Sequence, residues 1–134
     1  MSIRNRVLQI TLVALSVVFG IQAEDTHHCS NATLHGSYGF HANGTGFVAV
    51  GRFVFDGKGN LSGKLFIRVP GTNIGPLEFT GIYSVAEDCT VTDNFLGSTH
   101  VSVIVDEGKG YFIMNVSPST AAADTLNNGE GRRQ

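Results

Sequence analysis

The chain has 134 residues, with nine basic and eleven acidic side chains, 17 glycines, two cysteines and no tryptophan. Only 15% of residues are charged, and they form no basic stripe or cluster, which argues against nucleic acid as a partner. The wealth of Val, Ile, Phe and Leu argues equally against a disordered chain; together with so many glycines it suits a small all-β protein rich in turns.

Arg4 and Arg6 precede an apolar stretch from Val7 to Ile21, and Ala23 offers a small residue just before Glu24 and Asp25. This reads as a secretory signal over residues 1–23 with cleavage after Ala23. Its apolar core is shorter than the ~20 residues that span a bilayer, and no later segment approaches that length. The expectation is a secreted or periplasmic protein with no membrane part after cleavage. What remains, residues 24–134, has the length of one domain with a modest core. With Arg4 and Arg6 gone, seven of the nine basic side chains remain against eleven acidic ones, a mild negative balance.

Export places Cys29 and Cys89 where disulfides form and persist, so one bridge is expected. Closing a loop of roughly 60 residues stabilises a fold by about 4 kcal/mol on the chain-entropy model. The neighbouring His27 and His28 invite a metal reading. Adjacent residues of an extended chain point to opposite sides, however, and a site would need His35 or His41 brought in. No metal and no cofactor is expected.

Leu34 to Ala42 is the first strand: Leu34, Gly36, Tyr38 and Phe40 share one face, and His35, Ser37, Gly39 and His41 the other. Asn43 to Gly46 makes a turn. From Phe47 to Phe55 the same two-residue period recurs, with Ala49, Gly51 and Phe53 between. Asp56-Gly57-Lys58-Gly59-Asn60 supplies the positive backbone φ angles of a tight connection. It leads into a strand carrying Leu61, Gly63, Leu65, Ile67 and Val69 on one face. The same five residues superficially suggest a calcium loop, but Lys58 stands where an oxygen ligand is needed and no downstream bidentate Glu follows.

Pro70 to Pro76 reads as a loop, because two prolines and two glycines do not continue a sheet ladder. A fourth strand covers Leu77 to Val85, with Phe79, Gly81 and Tyr83 on one parity. Thr90 to Leu96 and His100 to Asp106 are two more, around Gly97-Ser98. Glu107 to Gly110 turns into a seventh strand, Tyr111 to Val116, ending near Pro118. Residues 119–134 supply either a weak last strand near Gly129 to Gln134 or a loose tail.

Gly36, Gly51, Gly63 and Gly81 lie inside strands on the parity of the large apolar residues. Such glycines suit a sheet that coils sharply, and closure is the simplest way for seven or eight strands to protect their edges. The fold expected is therefore an antiparallel up-and-down barrel of seven to eight strands, with a two-sheet β-sandwich as the alternative.

Three stretches taken together carry a resemblance. Cys29, Ala32, Leu34, Gly36, Tyr38 and Phe40 form the first; Phe53, Phe55, Asp56, Gly57, Gly59, Asn60 and Gly63 the second; Gly81, Tyr83, Val85, Asp88, Cys89 and Thr90 the third. They resemble a group of small exported bacterial proteins of unknown function. The resemblance implies a calycin-like barrel of the kind typified by allene oxide cyclase. It covers most of the mature chain, departs most at the C-terminus, and brings no catalytic residue with it.

The chain holds no G-x-S-x-G, H-E-x-x-H or Walker-type phosphate loop. Glu87-Asp88 and Asp106-Glu107 fall in turns, where solvation explains them, and no residue is singled out as catalytic. The leading reading is non-enzymatic binding of a small apolar or amphipathic ligand inside the barrel. Its lining candidates are Tyr38, Phe40, Phe53, Phe55, Leu65, Phe79 and Tyr83, which would serve equally as a packed core. The alternatives are a cyclase or isomerase working in the cavity, and a surface or matrix interaction protein using its outer face. A polar group on the inner wall would favour the enzyme, and the strand residues to examine for it are Arg52, Arg68 and His100. The oligomeric state stays open.

Overall fold

The computed structural model describes residues 28–116 and 127–134. The expected leader, residues 1–23, lies outside them, as does the connection 117–126. Eight antiparallel strands follow one another up and down and close on themselves: β1 His35–Gly44, β2 Phe47–Asp56, β3 Asn60–Val69, β4 Thr72–Val85, β5 Thr90–Phe95, β6 Ser98–Val105, β7 Gly110–Asn115 and β8 Asn127–Arg133. The fold is a barrel, and the sandwich is set aside.

Closure depends on the strand with the least apolar pattern. In β8, Asn127 to Arg133, the ladder runs on both sides, to β1 with Phe40 opposite Gly131 and to β7 with Tyr111 opposite Gly131. Backbone pairing to two neighbours satisfies its N–H and C=O groups without help from large side chains. Gly131 also has to be small, because a Cβ there would collide with the Tyr111 ring. The C-terminal segment is thus a full eighth strand.

One expectation is corrected. Residues 70–76 do not form a continuous loop: β4 starts at Thr72, and Val69, Arg68 and Ile67 pair with Thr72, Asn73 and Ile74. The register then shifts so that Leu65 opposes Leu77, leaving Phe66, which pairs with Val50 on β2, without a register partner on β4 beside Gly75 and Pro76. The bulge absorbs the proline, which has no N–H to give the ladder. Gly75 has φ 123°, and a Cβ there would lie 2.6 Å from the Leu65 carbonyl oxygen, so only glycine fits.

The inward parity is apolar and aromatic. Phe53, 1% exposed, is the hub: its ring packs at 4.7–6.5 Å from those of Phe40, Phe55, Phe79, Phe95 and Tyr111. Phe79 lies over Gly63, where a side chain would strike the ring.

One end of the barrel is shut. Before β1 the chain makes a 3-10 turn, Asn31–Thr33, and Leu34 beside it is 1% exposed. The Tyr83 hydroxyl donates to the carbonyls of Asn31 (3.0 Å) and Leu34 (2.9 Å), and the Asn31 side chain accepts from the Val85 N–H at 2.8 Å. Tyr38 donates to the Gly108 carbonyl from the barrel interior. The Cys29–Cys89 disulfide, with Cα atoms 5.0 Å apart, ties this plug to the β4–β5 connection, as its Cys29 N–H does to Glu87.

Candidate functional site

The other end differs. It is framed by the β1–β2, β3–β4 and β5–β6 connections, and among the described residues no element crosses it. A cavity of about 390 Å³ enters there. Its walls are Phe40, Ala42, Ala49, Leu65, Ile67 and Ile113, with Phe47, Val69 and Leu96 higher up. Ala42 and Ala49 sit directly opposite each other on β1 and β2, so two minimal side chains leave the space that two rings take lower down.

Of the polar residues on this wall, His100 is the titratable one. A tight turn places it. Leu96 and Gly97 both have positive φ, 51° and 73°, the signature of a two-residue hairpin loop. Phe95 then pairs with Ser98, Asn94 with Thr99 and Asp93 with His100. Asp93 and His100 are 5% and 7% exposed, and His100 Nδ1 lies 2.9 Å from Asp93 Oδ1. The imidazole stacks on Phe95, ring centroids 4.1 Å apart and planes within 16°. Hydrogen bond and stacking hold the ring in one orientation, and its remaining nitrogen, Nε2, has no hydrogen-bond partner among the described residues.

Burial pushes the Asp93 carboxyl above its ordinary range, against the opposing effect of the His100 hydrogen bond. Deeper in the barrel, the Tyr111 hydroxyl is buried without a hydrogen-bond partner among the described residues. Burial, with the Asp93 charge adding to it, holds that phenol well above the usual tyrosine range.

Of the lining candidates, Phe40 and Leu65 reach the cavity. Tyr38, Phe53, Phe55, Phe79 and Tyr83 are packed among one another below it. Of the three polar candidates only His100 faces inward. Arg52 and Arg68 lie on the opposite parity from Phe53 and Ile67 and are exposed; Arg68 donates to Asn73 at 2.9 Å. The sequence reading missed Asp93, although Val91, Asp93 and Phe95 share a parity and the tight turn at Leu96-Gly97 places Asp93 opposite His100. It also missed Ser98, Asn115 and Asn127, which bring polar atoms to the cavity.

No group of three or more His, Cys, Asp and Glu side chains able to hold a metal occurs among the described residues. The outer wall carries apolar side chains, with Val103, Phe112 and Met114 about half exposed on β6 and β7. They line a shallow groove of about 490 Å³ with His41 and Glu130, which are 3.3 Å apart. No family model, no curated protein and no solved structure matches the chain.

Proposed function

We propose that the protein is an exported, calycin-like barrel that binds a small apolar or amphipathic molecule in its mouth. The observation that carries this reading is the apolar cavity of about 390 Å³ at one end of a barrel packed shut at the other. That volume lies near the small end of the ~300–1,000 Å³ typical of ligand sites, and mostly apolar walls with a few placed polar groups are their usual composition. The three sequence stretches that resemble small exported bacterial proteins support export and the calycin-like assignment, and the disulfide fits an oxidising compartment.

Native mass spectrometry of the mature protein, released gently from an exporting host, tests the proposal. The expected result is a reproducible excess mass that disappears on denaturation and is absent in Ala49→Phe, whose added ring occupies the mouth. A bare polypeptide mass from native preparations, persisting after incubation with host lipid and metabolite extracts, overturns it.

A second reading, an isomerase or cyclase, is favoured by the Asp93–His100 pair. A carboxylate that orients an imidazole beside an apolar cavity is a general-base arrangement. Conversion of the co-purified molecule by wild type, and not by His100→Gln, separates enzyme from binder.

A further inference from the structure

Asp93 and His100 also constrain what the mouth accepts. When Asp93 is ionised its carboxylate only accepts hydrogen bonds, so the 2.9 Å contact requires the proton of a neutral imidazole to sit on Nδ1. Nε2 then presents a lone pair. The contact of Nδ1 with Asp93 sets which nitrogen faces away from the carboxylate, and stacking on Phe95 fixes the plane of the ring. Among the described residues no Lys, Arg, Asp or Glu lines the cavity, so they offer no fixed cation for an anionic head, and the charge-capable group paired with His100 is Asp93. An anion brought here would meet that carboxylate through one imidazole and lose its hydration in an apolar pocket.

Resting on the mouth as the ligand site, we infer that the molecule it takes is uncharged and carries a hydroxyl group that donates to His100 Nε2. Its apolar body lies against Phe40, Leu65, Ile67 and Ile113. A donor hydrogen bond inside an apolar cavity discriminates strongly, because an analogue lacking the hydroxyl leaves Nε2 desolvated and unpaired. Ser98 and Asn127 at the same cavity supply a hydroxyl and an amide for any second oxygen on the ligand.

The test uses three probes of one ring system, 1-naphthol, naphthalene and 1-naphthoate, titrated into the oxidised protein at neutral pH and followed by NMR. The expected order is naphthol first, roughly tenfold tighter than naphthalene as one net hydrogen bond allows, with naphthoate weakest. In His100→Gln the naphthol advantage narrows while naphthalene binding holds. Should that variant fail to fold, the wild-type ¹⁵N resonance of His100 Nε2 carries the test: it is expected to move with naphthol and stay in place with naphthalene. Naphthoate binding tightest, or naphthol binding no better than naphthalene, overturns the hydroxyl inference and leaves the mouth as a binding site. Failure of all three probes to perturb mouth residues overturns the inference, and binding of naphthalene elsewhere on the protein counts against the mouth reading itself.

Discussion

The two ends of this barrel are made from the same alternating strands and differ in what their inward positions carry. At the shut end, Tyr38, Phe55, Tyr83 and Tyr111 meet ring to ring, and both Tyr38 and Tyr83 end on backbone carbonyls that no strand partner claims. At the mouth, Ala42 and Ala49 replace rings, and the polar groups are a charge-capable pair within the wall. Large side chains, two of them anchored by their hydroxyls, make a plug, whereas small side chains beside an oriented imidazole make a receptacle. The difference teaches that a barrel of eight strands need not be hollow or full throughout, since side-chain size along each strand decides locally.

The largest effects should come from the packed half. Phe53→Ala removes the ring that five others touch and is expected to cost about 3–5 kcal/mol. Ile67→Ala at the half-open mouth should cost only about 1–2 kcal/mol, since part of its surface is already outside the core. Urea unfolding of both, monitored by tyrosine fluorescence, measures the gap, and equal losses would erase the distinction between the ends. Replacing both Cys29 and Cys89 by Ser should cost about 4 kcal/mol, through the lost constraint on the unfolded chain. Because the bridge lies on the plug, hydrogen exchange in this variant should rise around Asn31–Leu34 more than around Ala42 and Ala49.

One substitution made at two tyrosines sharpens the comparison further. Tyr83→Phe takes the hydroxyl from the Asn31 and Leu34 carbonyls and is expected to destabilise by about 1–2 kcal/mol. Tyr111→Phe removes a buried hydroxyl that has no partner among the described residues, and should leave stability unchanged or raise it by about 1 kcal/mol. Thermal unfolding midpoints that fall for the first and hold or rise for the second support the distinction. A loss of comparable size at Tyr111 would mean that its hydroxyl is hydrogen-bonded.

How far these features were legible in the sequence follows from their physical origin. The strands from Leu34 to Val85 announce themselves, because one face is buried and alternation is then unavoidable. The Gly75-Pro76 bulge is not legible as a ladder: the same residues read as a loop until the partner strand is known to skip one pairing at Phe66. Strand β8 is faint because its stability comes from two neighbours rather than from its own side chains. His100 was legible as a polar strand residue, but Arg52 and Arg68 looked equivalent until parity was applied strictly. Asp93 escaped because an acid on an apolar face reads as an interruption, and only the turn at Leu96-Gly97 makes it the partner of His100.

The smallest effect tests the receptacle's own chemistry. Burial raises the Asp93 carboxyl, so on raising the pH the unfolded chain gives up this proton before the folded one does. The stability tied to the neutral acid is fully present below the ordinary carboxylate pKa and is lost as pH rises through the raised native value. Asp93→Asn keeps an oxygen to accept from His100 Nδ1 and never acquires the charge. Its stability relative to wild type should therefore improve across that window and level off above it. Asp56, lowered by the Asn60 side chain and the backbone N–H groups of Asn60 and Lys58, and Asp88, lowered by Thr90, act in the opposite sense. Both are common to the two proteins and cancel in the difference. Urea denaturation of the pair from about pH 3 to pH 8 reads that difference directly. A gap that moves in the aspartate's favour with rising pH would show that the contact with His100 outweighs burial.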